Sequence, residues 1–264
     1  MIGHVLLVIA IASSYVFAIY FAQPPSLRDK DRNDIEVVKH RIKRIIILCS
    51  VLLVLIPNLV EGSYLDNIRS LGIIPGYTKT DSLIKDYKII RESLYFILTL
   101  YSSSIYQGLL IRDIEFISRD ESILYHIRDH IISPISEELI YRGMIILVVE
   151  KYIPNFMVFT PYLFGIAHIH HGIQLYFRQI PIGQILRTSG FQFIYTSIFG
   201  IFCNYYYINI AEKNLWSTIV IHMICNFFGF PSLLVDSKDL IHHVMYYSLI
   251  IVGIFNTWFV LKNN

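Results

Sequence analysis

Long apolar stretches alternate with short polar linkers along the whole chain. Helix-length apolar runs lie at about 3–21, 45–60, 93–111, 131–149, 156–170, 191–210, 215–230 and 241–261. A helix that crosses a bilayer needs about 20 largely apolar residues, within a working range of roughly 17–25. Several runs are shorter than that, and Pro57 and Pro161 interrupt two of them. Short or broken spans persist in a membrane only where neighbouring helices cover their backbone. The pattern therefore predicts an all-α polytopic membrane protein, with about eight transmembrane helices packed as a single domain over 1–264. No internal repeat is visible. The first run lacks a basic leader and a small-residue cleavage site, so it reads as a retained span.

The linkers set the expected orientation. Segment 23–44 holds seven Lys/Arg beside the first span, where positive charge has most influence on sidedness. It is expected on the cytosolic side, with the N-terminus opposite. Alternation through eight spans then puts 112–130, 171–190 and 231–240 on the cytosolic side too, which gathers 13 of the chain's 22 Lys and Arg there.

Polar residues inside the apolar runs are the exception that points to a site. Glu137, Glu138 and Arg142 fall within 131–149. Each ionised group near the bilayer centre costs about 2.5–3.5 kcal/mol, so three within a turn and a half cannot face lipid. Phe164 and His168 are four apart in 156–170, and His222 and Asn226 are four apart in 215–230. In the expected topology the run 131–149 enters from the cytosol, and the other two return to it. Their polar residues converge in the cytosolic half, which predicts one cavity around a catalytic cluster, open to the cytosol.

Composition narrows the class further. Hydrophobic residues make up 55% of the chain and charged residues only 16%, against about 25% charged in an ordinary soluble domain. Mean hydropathy is +0.54. Much of the surface is expected to meet the lipid bilayer. A net charge of +2 without a basic tract gives no reason to expect nucleic acid. Cys49, Cys203 and Cys225 all lie in apolar runs, the usual place for small buried hydrophobes rather than a disulfide framework.

The residue types suggest hydrolysis. On a helix Glu138 and Arg142 share a face, while Glu137 is turned by about 100° toward a neighbour. A carboxylate beside a second, Arg-paired carboxylate is a credible general base. The bland alternative is a buried salt bridge that fixes helix register. His168 alone is more often a hydrogen-bonded core residue; near Glu137 it can help hold and deprotonate one water. His222 and Asn226 offer two donors from one face, suited to a developing oxyanion, or else a polar pair worth about a kcal/mol of helix packing. Peptide hydrolysis by an activated water fits the set. Zinc fits it poorly: no HExxH occurs, and His168, His170, His171 and His222 are not spaced to project together.

At these residues the chain resembles a known family. Glu137-Glu138-Leu139-Ile140-Tyr141-Arg142, Phe164-Gly165-Ile166-Ala167-His168 and His222-Met223-Ile224-Cys225-Asn226 match, in order, the EExxxR, FxxxH and HxxxN motifs of the type II CAAX prenyl proteases. These are the Ras-converting endopeptidases within the wider group of CAAX proteases and bacteriocin-processing membrane proteins. The resemblance covers about 125–232, and the extensions Ala167–His171 and Cys225–Pro231 are similar to the eukaryotic branch.

That resemblance implies a metal-independent intramembrane glutamate protease of the endoplasmic reticulum, with no cofactor. Its substrates would be prenylated CaaX proteins such as Ras-like small GTPases, from which it would remove the aaX tripeptide. Carried over by position, Glu137 and His168 would activate water, and His222 and Asn226 would form the oxyanion site. Glu138, Arg142 and Phe164 would support them, and Cys225 would be a bystander. The physical reading agrees, because a prenyl chain partitions into lipid at about 0.8 kcal/mol per CH₂ while the peptide tail arrives from water. A transporter keeping charged residues in its bundle, or a non-catalytic scaffold, remains open on residues alone; the absence of repeats argues against the transporter.

Overall fold

The computed structural model describes all residues except 21, 22, 29, 112–121, 231–233, 236 and 264. The expected end of the first run at Phe21 and the motif extension at Pro231 thus lie outside the described residues. Among the described residues the chain is helical, with no strand. Helix α1 (Ile2–Tyr20) is followed, after a single helical turn at Pro25–Arg28, by α2 (Ile35–Leu59). The latter begins well before its apolar run. Asp34 caps it by accepting the Glu36 N–H, and the Lys and Arg residues at 39–44 are good helix formers. Short α3 (Tyr64–Leu71) is capped by Ser63 and closed by Gly72 at φ 67°. A Cβ at Gly72 would lie 1.7 Å from the Lys213 carbonyl oxygen, while the Leu215 N–H donates to Gly72 O at 3.0 Å. Only glycine lets α3 approach the 211–214 loop this closely.

The apolar run at 93–111 is not one helix. Tyr101 separates α4 (Leu83–Leu100) from α5 (Ser102–Ile111), and its buried side chain donates to the Gly229 carbonyl at 2.8 Å. The run at 131–149 sits inside a longer helix, α6, over 123–152, which Ser122 opens by accepting the Leu124 N–H. This helix passes through π turns at Arg128–Ile132 and Leu139–Met144. Residues 136–146 are all buried, so α6 is the axis of the bundle. Its Tyr141 hydroxyl donates to the Ala12 carbonyl of α1 at 2.9 Å.

The run at 156–170 differs most from a single span. A 3₁₀ stretch, Pro154–Phe159, leads into α7 (Thr160–His168), and the chain breaks at Ile169 before α8 (His170–Phe177). Pro154 and Pro161 each occupy the first turn of their segment, where a missing N–H is tolerated. The remaining helices are α9 (Ile182–Tyr205), continued by a π turn at Tyr206–Ile210, α10 (Leu215–Phe228) and α11 (Leu240–Lys262). Asn214 caps α10 by accepting the Trp216 N–H at 3.1 Å.

Helices α1, α2 and α11 are long and apolar enough to cross a membrane, with only 28%, 22% and 11% of their most apolar windows buried in the protein. Ile46, Ile47, Val51 and Val54 of α2 and Ile251, Val252, Ile254 and Phe255 of α11 all face outward. Outward belts of this size are unstable in water and natural in hydrocarbon. The chain is an all-α polytopic membrane protein with α6 and its polar residues sheathed at the centre.

Candidate active site

Helix α6 supplies the most buried charges. Arg142 Nη1 donates to Glu138 Oε1 at 3.1 Å, and both side chains are wholly excluded from solvent. The i, i+4 pairing holds even though Arg142 lies within a π turn. The guanidinium also lies 4.5 Å from the ring centre of Phe164 and 5.6 Å from that of Phe199. Arg142 Nε and Nη2 have no hydrogen-bond acceptor among the described residues, so the two aromatic faces solvate the rest of the cation. Such stacking is worth about 2 kcal/mol when desolvated.

Glu138 has a second partner that helical spacing within α6 cannot reveal. Its Oε1 accepts a hydrogen bond from His222 Nδ1 of α10 at 2.8 Å. One oxygen therefore joins a guanidinium on its own helix to an imidazole on another.

Glu137 is turned away from this pair, as the 100° rotation requires. Its Oε2 faces His168 Nε2 at 3.8 Å and His222 Nε2 at 3.9 Å. Both separations exceed direct hydrogen-bond length. The opposite ring nitrogens are already committed. His168 Nδ1 lies 2.8 Å from the Phe164 carbonyl oxygen, which can only accept, so that nitrogen carries the proton. The carboxylate of Glu138 likewise accepts from His222 Nδ1. The two imidazoles therefore aim their second nitrogens at the same oxygen of the same carboxylate.

Phe164 holds the arrangement from beneath. It is 1% exposed, and its ring stands edge-on to Tyr141, His168 and His222 at centroid distances of 5.1, 4.6 and 6.0 Å. Its backbone fixes the His168 tautomer, and its ring covers Arg142. The next residue, Gly165, lets α7 touch α9: a Cβ there would meet Ser197 Oγ at 2.1 Å and the Phe193 carbonyl oxygen at 3.1 Å.

Asn226 is exposed and borders the same space, one turn beyond His222. Its Nδ2 donates to the Asp129 carbonyl at 2.9 Å. This bond uses one amide hydrogen and fixes the plane of the carboxamide. Glu137, Phe164, His168, His222 and Asn226 all line one cavity of about 420 Å³, whereas Glu138 and Arg142 lie behind its wall. The residues singled out in the sequence are thus brought together on three helices. Among the described residues, no three His, Cys, Asp or Glu side chains form a metal-ligand set.

Among the lining residues that sequence reasoning missed are Tyr15, Arg32, Arg41 and Arg128. Tyr15 had no signal beyond its place on an apolar helix. Arg32 and Arg41 belong to the basic segment, where their charge was read only as a marker of sidedness. The loop carrying Arg32 is clamped from two sides. Arg128 donates to the Arg32 carbonyl at 2.9 Å and to Asn33 Oδ1 at 3.0 Å, and Arg178 binds the Asp31 carboxylate at 2.5 Å. The Asn33 backbone N–H, aided by Arg178, holds the Asp31 carboxyl below the usual carboxylate range.

Comparison with known proteins places this constellation. The sequence profile of the family described as type II CAAX prenyl endopeptidase Rce1-like matches residues 119–228, which span all three motifs. The CAAX prenyl protease 2 of Saccharomyces cerevisiae is 30% identical over 261 residues, covering 86% of this chain and 79% of the yeast protein. The human CAAX prenyl protease 2 is 37% identical over 109 residues, 40% of this chain and 32% of the human one. A probable CAAX prenyl protease 2 of Schizosaccharomyces pombe is 32% identical over 139 residues, half of each chain. No solved structure matches. With the likeness to the yeast protein running nearly end to end, and the profile enclosing the buried Glu–Arg–His cluster, this chain belongs to the type II CAAX prenyl protease family.

Proposed function

We propose that the protein is an intramembrane endopeptidase that removes the aaX tripeptide from prenylated CaaX proteins, Ras-like small GTPases among them. Its site would be the endoplasmic reticulum membrane, with the cavity open to the cytosol. The observation that carries this reading is the pair of imidazole Nε2 atoms, 3.8 and 3.9 Å from one Glu137 oxygen. In its neutral form, with the proton on Nδ1 facing the Phe164 carbonyl, His168 presents a lone pair at Nε2. A carboxylate and a lone pair at that separation can both accept from one water, leaving the water oxygen free to attack.

The chemistry then balances without a covalent enzyme intermediate. Water oxygen adds to the scissile carbonyl carbon as Glu137 takes a proton, and the carbonyl oxygen becomes an oxyanion. Collapse breaks the C–N bond, and the proton passes to the departing amine of the tripeptide. Asn226 supports the oxyanion with its second amide hydrogen. His222, held through Nδ1 by the Glu138 carboxylate, aims Nε2 at the same space and serves the oxyanion site when that nitrogen carries a proton. The farnesyl or geranylgeranyl chain would remain on the lipid side.

The test is a prenylated CaaX peptide incubated with the purified chain in detergent, with tripeptide release measured by mass spectrometry. Release of the intact aaX fragment is expected. Cleavage of unprenylated peptide at the same rate would replace this reading with a general intramembrane protease.

A further inference from the structure

The lining of the cavity carries a charge excess that the proposed chemistry does not use. Arg32, Arg41 and Arg128 all line it. Arg128 is neutralised, with Nε and Nη2 donating to the Asp129 carboxylate at 2.6 and 2.8 Å. Arg32 and Arg41 have no carboxylate partner among the described residues. Arg41 lies 5.4 Å from the Tyr20 ring centre, and its buried Nε has no hydrogen-bond acceptor. The nearby carboxylate of Asp31 is engaged by Arg178. Two unpaired guanidiniums facing one cavity repel each other and stay costly until an anion enters.

We infer that Arg32 and Arg41 form a carboxylate subsite that binds the free C-terminus of the substrate, so that the cut is measured from the chain end. The inference rests on the proposed endopeptidase reading. A protease that releases a fragment of fixed length can measure it from the chain end as well as from the prenylated cysteine. Three extended residues reach roughly 10 Å, and the landmark at their end is an α-carboxylate. Guanidinium is the side chain suited to it, because its planar fork can donate two parallel hydrogen bonds. The clamp of Arg128 on the Arg32 carbonyl and Asn33 makes Arg128 a positioning residue, since it holds the Arg32 loop against α6 without spending its own charge on substrate.

The experiment compares one prenylated CaaX peptide as its free acid and as its C-terminal amide, in a neutral detergent free of anionic lipid. Wild type should cut the amide with KM raised about 10–100-fold, the loss expected for a charge-assisted contact, and with kcat nearly unchanged. Arg41→Gln and Arg32→Gln should lower kcat/KM for the acid toward that of the amide while leaving the amide unaffected, and Arg41→Lys should recover part of the loss. A fall for acid and amide alike would mean the arginines only support the fold, and would overturn the subsite. Equal cleavage of acid and amide by wild type would overturn it while leaving the protease reading intact. Equal cleavage in detergent, with an effect of the variants only in vesicles containing anionic lipid, would also overturn it and assign the arginines to the membrane surface. Cleavage of neither peptide by wild type would sink the protease reading itself, and the subsite with it.

Discussion

Glu137 and Glu138 are neighbours in sequence with different surroundings. Glu138 is wholly buried and bound to Arg142 and His222 through one oxygen, whereas Glu137 lines the cavity. Glu137→Gln preserves size and should abolish tripeptide release without changing the melting temperature; full activity in that variant sinks its assignment as the base. Glu138→Gln should weaken the fold, because truncating one partner of a buried ion pair costs about 3–5 kcal/mol. It should also slow turnover by freeing His222, which a joint measurement of melting and kcat will show. For Asn226→Ala, loss of an oxyanion donor predicts a kcat lower by ~100–1000-fold with little change in KM. A raised KM at constant kcat would make Asn226 a substrate clamp instead. Water activation by Glu137 and His168 calls for no cation, so strong chelators should leave turnover unchanged, and a loss that zinc restores would contradict the scheme. At this scale the sequence was informative because charge inside an apolar run is rare enough to stand out. The Glu138–His222 bond was not legible, since it links two helices whose packing no spacing rule specifies.

At the level of elements, the site depends on a helix too short to span. α7 covers only Thr160–His168, yet it carries both Phe164 and His168 to the buried cluster. It reaches that depth because Gly165 lets it press on Ser197 of α9. Phe164→Leu should lower stability by about 2 kcal/mol or more, since Arg142 loses its nearer aromatic face while remaining buried. It should lower kcat as well, as His168 loses the ring that fixes its plane. Thermal unfolding in detergent beside kinetics checks both, and an unchanged melting temperature would mean Arg142 is satisfied elsewhere. The apolar runs anticipated where most helices lie because burial in lipid or core imposes one polarity on long stretches. They misjudged continuity. The break at Tyr101 precedes Ser102-Ser103-Ser104 and the restart after Ile169 precedes His171-Gly172, short polar signals that a reading for long apolar runs passes over. The π turns at Leu139–Met144 and Arg128–Ile132 were invisible, because a single inserted residue leaves composition unchanged.

For the whole molecule, the position of the basic segment bears on which face of the membrane the cavity meets. Arg32 and Arg41 of the basic segment and Arg128 near the start of α6 line it, so the cavity and the positive charge share one end of the bundle. Positive charge beside the first span is retained in the cytosol, and the proposed function requires the cavity to open on that side, where a CaaX tail would emerge after prenylation. The same arginines thus serve two readings, and sidedness can be tested apart from catalysis. Lys39, on the first turns of α2, and Lys79, in the loop after α3, are both exposed. A single cysteine replacing either one should therefore react with a thiol reagent unless the membrane intervenes. Cys49, Cys203 and Cys225 would first be replaced by alanine, since Cys225 lines the cavity. In sealed microsomes with the cytosolic face outward, a membrane-impermeant maleimide should label the Lys39→Cys protein and spare Lys79→Cys until the bilayer is opened with detergent. The reverse pattern would turn every span over and place the mouth in the lumen, out of reach of a cytosolic substrate. Labelling of both sites in sealed vesicles would mean that α2 does not cross the bilayer and that its apolar face is covered in some other way.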